Sequence, residues 1–216
     1  LLTGSGSGIG RTVAVTLAKY GAQLVLLSKD LPKLESLHKE ILGQGLKEPL
    51  IHSIDFEYAE ENEYQQIKVA IQDRFERLDG LINNAGILRD KSFSKLNIED
   101  FKAVVDVHLN GSMICSKGVW DYMKEQKSGR IVMTTSSSGL YGNFGQANYG
   151  SAKAGLFGLT RITAMEMVRS NVTCNYLAPF AHSRVTDMIE PANEEQAEYK
   201  NRALKVKPHH VARFVS

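Results

Sequence analysis

The sequence is poor in the features that would place a chain in a membrane, in an oxidising compartment or on nucleic acid. Its only two cysteines, Cys115 and Cys174, form no CxxC pair and no cluster with histidine, so neither a disulfide framework nor a zinc site is expected. No apolar run approaches the roughly 20 residues that cross a bilayer. The 26 basic and 24 acidic side chains leave a net charge of +2, which is too small to favour nucleic acid as a partner. We therefore expect no membrane insertion, no bound metal and a reducing compartment such as the cytoplasm.

The composition predicts a single domain over residues 1–216. Hydrophobic residues make up 43% of the chain and aromatic residues 8%, which is enough apolar material for one buried core. Only Leu1 and Leu2 precede a glycine-rich segment, and a helical pattern over 208–216 stops at the last residue. We expect the intact protein to have further residues on both sides, including a C-terminal edge strand.

Strand and helix signals alternate along the whole chain, which favours an α/β fold. Apolar residues at helical spacing, such as Ile9, Val13 and Leu17, or Phe101 to Leu109, lie between short apolar runs. Right-handed crossovers then predict a Rossmann-type, doubly wound parallel sheet in a three-layer sandwich. The runs that suit buried parallel strands are Leu24–Leu27, Leu50–Ile54, Leu81–Ile82, Ile131–Thr134 and Val172–Leu177, with Leu1–Leu2 as the tail of another.

A glycine-rich turn at the start of the chain predicts a dinucleotide site. It follows a strand remnant and opens a helical pattern, and glycines there allow the backbone to approach a pyrophosphate at the helix N-terminus. The alternative is a flexible glycine/serine linker. The residues that we expect to contact the cofactor are Thr3, Gly4, Ser5, Ser7, Gly8, Ile9 and Gly10.

The end of the second strand favours NADP(H) over NAD(H). Ser28 stands where an acidic residue often binds the ribose 2′-hydroxyl, and Lys29 beside it can neutralise a 2′-phosphate. The alternative is that Lys29 is a solvated lysine at the start of a helix that Asp30 caps.

Tyr149 and Lys153 lie four residues apart in a helical pattern that extends to Met167, so both side chains project from one face. A phenol has an unperturbed pKa of about 10, and a nearby ammonium favours the phenolate. The pair suits proton transfer. By itself such spacing is also common in surface or packing pairs.

Taken together, the motifs resemble the short-chain dehydrogenase/reductase family. The turn Thr3-Gly4-x-x-x-Gly8-Ile9-Gly10, the segment Asn83–Gly86, Ser136 with Gly139, and Tyr149-x-x-x-Lys153 occur in the family order and spacing. The resemblance implies that Ser136 holds a substrate carbonyl and that Tyr149 donates or accepts the proton. It further implies that Lys153 binds the nicotinamide ribose and lowers the pKa of Tyr149. Further cofactor contacts implied by the resemblance are Asn83, Ala85, Gly86, Asp55, Phe56 and Pro179.

One departure from the family is His108, which stands 28 residues before Ser136, where the family usually has a helix asparagine. That asparagine helps to hold a water chain that leads from the lysine. A histidine can relay protons there, because its pKa lies near 6.5, or it can simply hydrogen-bond the backbone. Both roles remain open, and we include His108 among the candidate catalytic residues.

The substrate side resembles the hydroxyacyl-CoA dehydrogenase part of multifunctional enzyme type 2 and 3-oxoacyl-acyl-carrier-protein reductases. The segment Gly142–Tyr149 carries much of this likeness. The function it implies is hydride transfer between nicotinamide and the 3-oxo or 3-hydroxy group of an acyl thioester, within fatty acid metabolism. The alternatives are a reductase of steroid, sugar or xenobiotic ketones and a dinucleotide-binding sensor without turnover, because the fold does not encode the substrate.

Several expectations concern the C-terminal part and the assembly. Ser183 and Thr186 are weak candidates for binding the carboxamide, and the polar stretch 190–202 suits a mobile substrate lid. Family members commonly form homodimers or homotetramers through the helix with His108 and the helix with Tyr149. We expect the same here. A peroxisomal location also remains open.

Overall fold

The computed structural model describes residues 1–181, 191 and 193–215, and it contains one six-stranded parallel sheet in the order β3-β2-β1-β4-β5-β6. The order reverses direction between β1 and β4, and in such sheets ligands bind at the carboxyl ends of the strands at this point. The predicted α/β, Rossmann-type fold is confirmed. The strands are β1 (Leu2–Thr3), β2 (Val25–Ser28), β3 (Leu50–Ser53), β4 (Gly80–Asn83), β5 (Gly129–Thr134) and β6 (Val172–Leu177).

Helices join successive strands, as parallel pairing requires. In the part of the chain that the structure describes, no helix is both long and apolar enough to cross a membrane. The helices are α1 (Gly8–Lys19), α2 (Leu31–Gly43), α3 (Glu61–Arg74), α4 (Ile98–Val105), α5 (Gly111–Gln126), α6 (Ser138–Tyr141), α7 (Ala147–Met167), α8 (Glu194–Lys205) and α9 (Pro208–Val215).

The core lies on both faces of the sheet, and β2 shows why. Val25 and Leu27 belong to one apolar cluster, which α3, α5 and α7 complete, whereas Leu26 belongs to a second cluster with α1, α2 and α9. Side chains of a strand alternate between faces, so an uninterrupted apolar run is what a strand covered on both sides needs. This arrangement gives the predicted three layers.

The five predicted strand runs all contain strands, with ends that differ by at most two residues, and α7 begins two residues before Tyr149. The pattern over 101–109 predicted a plain helix, but a π-helical turn, Asp106–Asn110, separates α4 from α5. Residues 194–202 of the predicted lid belong to α8, whose Ala203, one residue beyond that stretch, is buried. Single π-helical turns occur inside α-helices, and the apolar pattern over these residues did not distinguish one from the α-helix around it.

Candidate active site

Close backbone contacts shape the turn between β1 and α1. Gly4 has φ +64°, and a Cβ there would lie 2.7 Å from the Ala85 Cα. A Cβ on Gly10 would lie 2.2 Å from the Gly4 carbonyl oxygen. Both positions therefore require glycine, which explains two of the glycines in the motif.

The N-terminus of α1 remains open on its outer side. Gly8 has φ +55°, and a Cβ there would meet nothing within 4 Å. Ser7 occupies the N-cap position, but its side chain caps none of the helix N–H groups. Uncapped N–H groups and the positive end of a helix dipole suit an anion, so this turn fits a dinucleotide pyrophosphate.

Hydrogen bonds fasten the turn to the loop after β4. The Thr3 Oγ1 accepts from the backbone N–H of Asn84 at 2.9 Å and of Ala85 at 3.0 Å. Asn84 in turn donates its side-chain amide to the carbonyls of Thr3 and Gly4 at 3.2 and 3.1 Å. Asn84 lies within the Asn83–Gly86 motif but was not among the predicted site residues, since a motif alone does not say which of two asparagines faces the turn.

Ser5, one of the predicted cofactor contacts, turns its side chain into the protein. It is fully buried, and its hydroxyl donates to the Leu27 carbonyl at 3.1 Å. The side chain therefore holds the turn against β2. Ser5 stays a predicted cofactor contact only through its backbone.

The end of β2 carries the groups that bear on cofactor choice. The Ser28 hydroxyl lies 3.0 Å from where a Cβ of Gly6 would stand, so β2 packs directly against the turn. The Lys29 ammonium is about half exposed and lies 3.6 Å from the Asp55 carboxylate. Asp30 caps α2 by accepting from the Lys33 N–H at 3.1 Å. Lys29 is thus a loosely paired cation beside the turn.

Two other predicted cofactor residues turn their side chains into the protein interior. Phe56 is buried, and its ring lies 6.2 Å from the ring of Tyr64. Asn83 donates to the Ser116 hydroxyl at 3.1 Å and thereby ties β4 to α5. The side chain of Phe56 therefore belongs to the core, and that of Asn83 connects β4 to α5.

Ser136, Tyr149 and Lys153 meet at the carboxyl end of β5. Ser136 follows the strand, and its oxygen accepts from the Ser138 N–H at 3.2 Å. The Lys153 Nζ is 5.5 Å from the centre of the Tyr149 ring and donates to the Thr134 carbonyl at 2.5 Å. The structure therefore brings together the three residues that the sequence pointed to.

The pKa values correct one expectation. We expected Lys153 to lower the pKa of Tyr149, but burial raises it, and the hydrogen bond with Ser136 only partly offsets that rise. Burial also lowers the pKa of Lys153 to about 7. A buried site disfavours both phenolate and ammonium, and Lys153 directs its proton to the Thr134 carbonyl.

His108 lies on the π-turn with its ring edge against Tyr149, at 5.2 Å between ring centres. Its Nε2 lies 3.1 Å from the Ile87 N–H and 2.8 Å from the Ile87 carbonyl oxygen. Burial lowers the pKa of His108 well below 6.5, so the ring is neutral at pH 7. Of the two roles left open by the sequence, the structure contains the hydrogen bond to the backbone, while the buried Nδ1 has no partner among the described residues.

The loop after β6 contacts α8, which overlaps the segment predicted as a substrate lid. Pro179 is half-buried, and the ring of Phe180 lies 5.2 Å from that of Tyr199 on α8. Ser183 and Thr186 lie outside the described residues.

Comparison with known proteins matches this architecture to one family. The family model described as short chain dehydrogenase matches residues 1–197. Over its full length, the chain is 39% identical to the peroxisomal multifunctional enzyme type 2 of Mus musculus, and the match covers 29% of that protein. Over 88% of its length, it is 41% identical to the peroxisomal hydratase-dehydrogenase-epimerase of Saccharomyces cerevisiae, and the match covers 22% of that protein. Over 90% of its length, it is 38% identical to the 3-oxoacyl-[acyl-carrier-protein] reductase of a Synechocystis species, and the match covers 77% of that protein. The chain thus spans less than a third of the two peroxisomal relatives. It belongs to the short-chain dehydrogenase/reductase family, and it is an oxidoreductase that uses a nicotinamide cofactor.

Proposed function

We propose that the chain transfers hydride between NADP(H) and the 3-oxo or 3-hydroxy group of an acyl thioester. The observation that carries this proposal is the meeting of Ser136, Tyr149 and Lys153 beside a turn that fits a dinucleotide. The substrate class is supported by the printed names of relatives, a 3-oxoacyl-[acyl-carrier-protein] reductase and peroxisomal multifunctional enzymes.

Ser136 and Tyr149 would hold the substrate oxygen from two sides. The Ser136 oxygen accepts from the Ser138 N–H, and its hydroxyl hydrogen, which serves the Tyr149 oxygen in the free protein, would turn to the substrate carbonyl. Tyr149 would pass its phenolic proton to the same oxygen as the carbonyl carbon is reduced. The cofactor, when bound at the glycine turn, supplies the hydride.

Lys153 would resupply the proton and orient the cofactor ribose. Its pKa of about 7 allows it to gain and lose a proton near neutral pH. His108 would hold the loop at Ile87 through its Nε2.

The raised pKa of Tyr149 suits its role as the proton donor in the reductive direction. A phenol that stays protonated at pH 7 is ready to donate a proton, whereas oxidation of an alcohol requires the phenolate to accept one. Reduction is also the direction usually associated with NADPH, so the two parts of the proposal agree.

Lys29 supports the choice of NADP(H). Its ion pair with Asp55 is long at 3.6 Å and partly exposed, and such pairs contribute about 0–1 kcal/mol. The ammonium can therefore leave Asp55 for a 2′-phosphate at little cost.

The exposed side of α7 supports a homodimer or homotetramer. Ile162 and Met165 on α7, and Val168 directly after its last residue, are 56%, 75% and 67% exposed and recur at every third residue. A second copy of the chain that packed on this side would remove them from water. This is the helix through which we predicted association.

The names of the relatives and the composition of the chain favour different compartments. The names of the mouse and yeast relatives include the word peroxisomal, whereas the composition favoured the cytoplasm. A fluorescent fusion of the intact gene, imaged with a peroxisomal marker, distinguishes the two.

The test of the function is nicotinamide oxidation by the intact protein with acetoacetyl-CoA, comparing NADPH with NADH. We expect turnover with NADPH and a loss of about 10²-fold or more in kcat for Tyr149→Phe, because general acid catalysis contributes this much. Tyr20→Phe, at a 74% exposed tyrosine directly after the last residue of α1, is the matched control and keeps full activity.

Three other outcomes would change the proposal. A preference for NADH would remove the role of Lys29. Faster turnover of free ketones than of thioesters would replace the substrate class. Cofactor binding without turnover of any carbonyl would point to the sensor alternative.

A further inference from the structure

Gln146 joins two loops that border the candidate active site. It is buried, precedes α7 and stands three residues before Tyr149. Its Nε2 donates to the Asp90 carboxylate at 2.7 Å, across 56 positions of sequence. Asp90 lies in the loop after β4, so this bond fastens that loop to the start of α7.

The other end of the same amide reaches toward Ser136. The Gln146 Oε1 accepts from the Ser138 hydroxyl at 2.8 Å and from the Asn143 amide at 3.2 Å. The N–H of Ser138 donates in turn to the Ser136 oxygen. A continuous path of hydrogen bonds therefore runs from Asp90 through Gln146 to the candidate catalytic serine.

The polarity of this path is fixed. A carboxylate only accepts hydrogen bonds, so the amide must direct its NH₂ group to Asp90 and its oxygen to the two donors. A glutamate at position 146 would oppose Asp90, whereas an alanine would leave both sides without a partner. The amide is therefore the group that satisfies Asp90 and Ser138 at once.

Two further hydrogen bonds, each to a backbone carbonyl, reinforce the junction between the loops. The Lys91 N–H donates to the Gly145 carbonyl at 2.9 Å, and the Asn148 amide donates to the Arg89 carbonyl at 2.9 Å. The cations that flank Asp90 interact with other carboxylates, since Lys91 lies 2.6 Å from Asp100 and Arg89 lies 3.7 Å from it.

We propose that Gln146 is a positioning residue: by linking Asp90 to Ser138, it sets the place of Ser136 relative to Tyr149. Both hydroxyls must reach one substrate oxygen, so a shift of about 1 Å between them lowers the rate steeply. The proposal rests on the proposed function only for its activity readout.

Asp90 also acts electrostatically on Tyr149, and the pH profile of activity gives a second measurement of this effect. The groups that face Tyr149 are Lys153 on its own helix, His108 on the π-turn, Asp90 and Tyr199. Asp90 raises the pKa of Tyr149 because an anion disfavours the phenolate. Removal of its charge should move the tyrosine-dependent limb of the pH profile to lower pH.

The experiment is a cycle of Gln146→Glu, Asp90→Asn and the double variant. Asp90→Asn keeps an acceptor for the Gln146 NH₂ group, so kcat should stay within about threefold. Gln146→Glu sets two carboxylates against each other, and we expect kcat to fall about tenfold or more. The double variant rebuilds the bond with reversed polarity, since an asparagine can donate to a glutamate, and should recover most of the loss.

Gln65→Glu is the matched control. Gln65 donates to the Glu61 carboxylate at 2.7 Å on the exposed side of α3. The substitution creates the same repulsion far from the site, and kcat should be unchanged.

Hydrogen exchange tests the link without turnover. Gln146→Glu should speed exchange in peptides over 89–93 and 136–143 together, and the double variant should restore protection. Cofactor affinity, measured by fluorescence, should not change, because the glycine turn lies on another loop. A loss of kcat that only parallels a lower melting temperature, and that also occurs in Gln65→Glu, would indicate a merely structural role. That result would overturn the proposal.

The outcomes separate this proposal from the proposed function. If the wild type prefers a free ketone to acetoacetyl-CoA, the substrate class fails, and the same cycle is measured with that ketone. Unchanged exchange and kcat in Gln146→Glu, or a double variant no better than the single, would overturn the positioning role whatever the substrate.

Discussion

The imidazole of His108 occupies the space that a side chain at position 86 would need: a Cβ on Gly86 would lie 2.3 Å from the His108 Cε1. The glycine of the Asn83–Gly86 motif is therefore matched to the histidine on the π-turn. The contact holds the imidazole between the loop after β4 and the ring of Tyr149.

This contact predicts strong coupling between the two positions. Gly86→Ala should destabilise the protein by about 1–3 kcal/mol, as overpacking does. His108→Ala also destabilises, because it removes the hydrogen bond between the imidazole Nε2 and the backbone of Ile87. The double variant should lose less free energy of unfolding than the two single variants together, and the difference should be about 1 kcal/mol or more.

Urea denaturation of the four proteins measures this coupling. Gly43→Ala is the control, because a Cβ there meets nothing within 4 Å at the end of α2. Strict additivity would show that the two residues do not share the space.

The buried ammonium of Lys153 predicts a pH dependence of stability. The pKa of Lys153 is about 7 in the folded protein, against an ordinary value of 10.5 for lysine. Between these values the unfolded chain binds more protons, so the free energy of unfolding should rise with pH. The slope is at most about 1.4 kcal/mol per pH unit from this group.

Lys153→Met isolates that contribution. We expect denaturation curves between pH 7 and 9 to show a positive slope for the wild type relative to this variant. Parallel pH dependences in the two proteins would mean that Lys153 keeps an ordinary pKa.

Charge removal at Lys29 tests the choice of cofactor. Lys29→Ala should raise the KM for NADPH about tenfold, equivalent to about 1.4 kcal/mol, and leave the KM for NADH nearly unchanged. Lys39→Ala, at an exposed lysine on α2, should affect neither. Equal changes for both cofactors would contradict a specific contact with the 2′-phosphate.

A charge on the exposed side of α7 tests the assembly. We expect light scattering to give a dimer or tetramer for the wild type and a smaller species for Met165→Glu, because burying a carboxylate in an apolar contact is costly. Val69→Glu, on α3 and 52% exposed, should leave the mass unchanged. A wild-type monomer at working concentration would refute the predicted association.

The sequence by itself determined the layers of the fold and the main motifs. Apolar runs such as Val172–Leu177 are covered on both sides, so their pattern is local and can be read directly. The glycines of the first turn and the spacing of Tyr149 and Lys153 are likewise local features. They therefore placed the candidate site at the right strands.

Only the tertiary structure decided what each side chain does there. The Ser5 hydroxyl points to Leu27, the ring of Phe56 enters the core and the pKa of Tyr149 rises, since burial and partners depend on residues distant in sequence. The link from Asp90 to Gln146 spans 56 positions. Such contacts form only when the chain brings the carboxyl ends of β4 and β5 side by side, so residue types and spacing alone do not determine them.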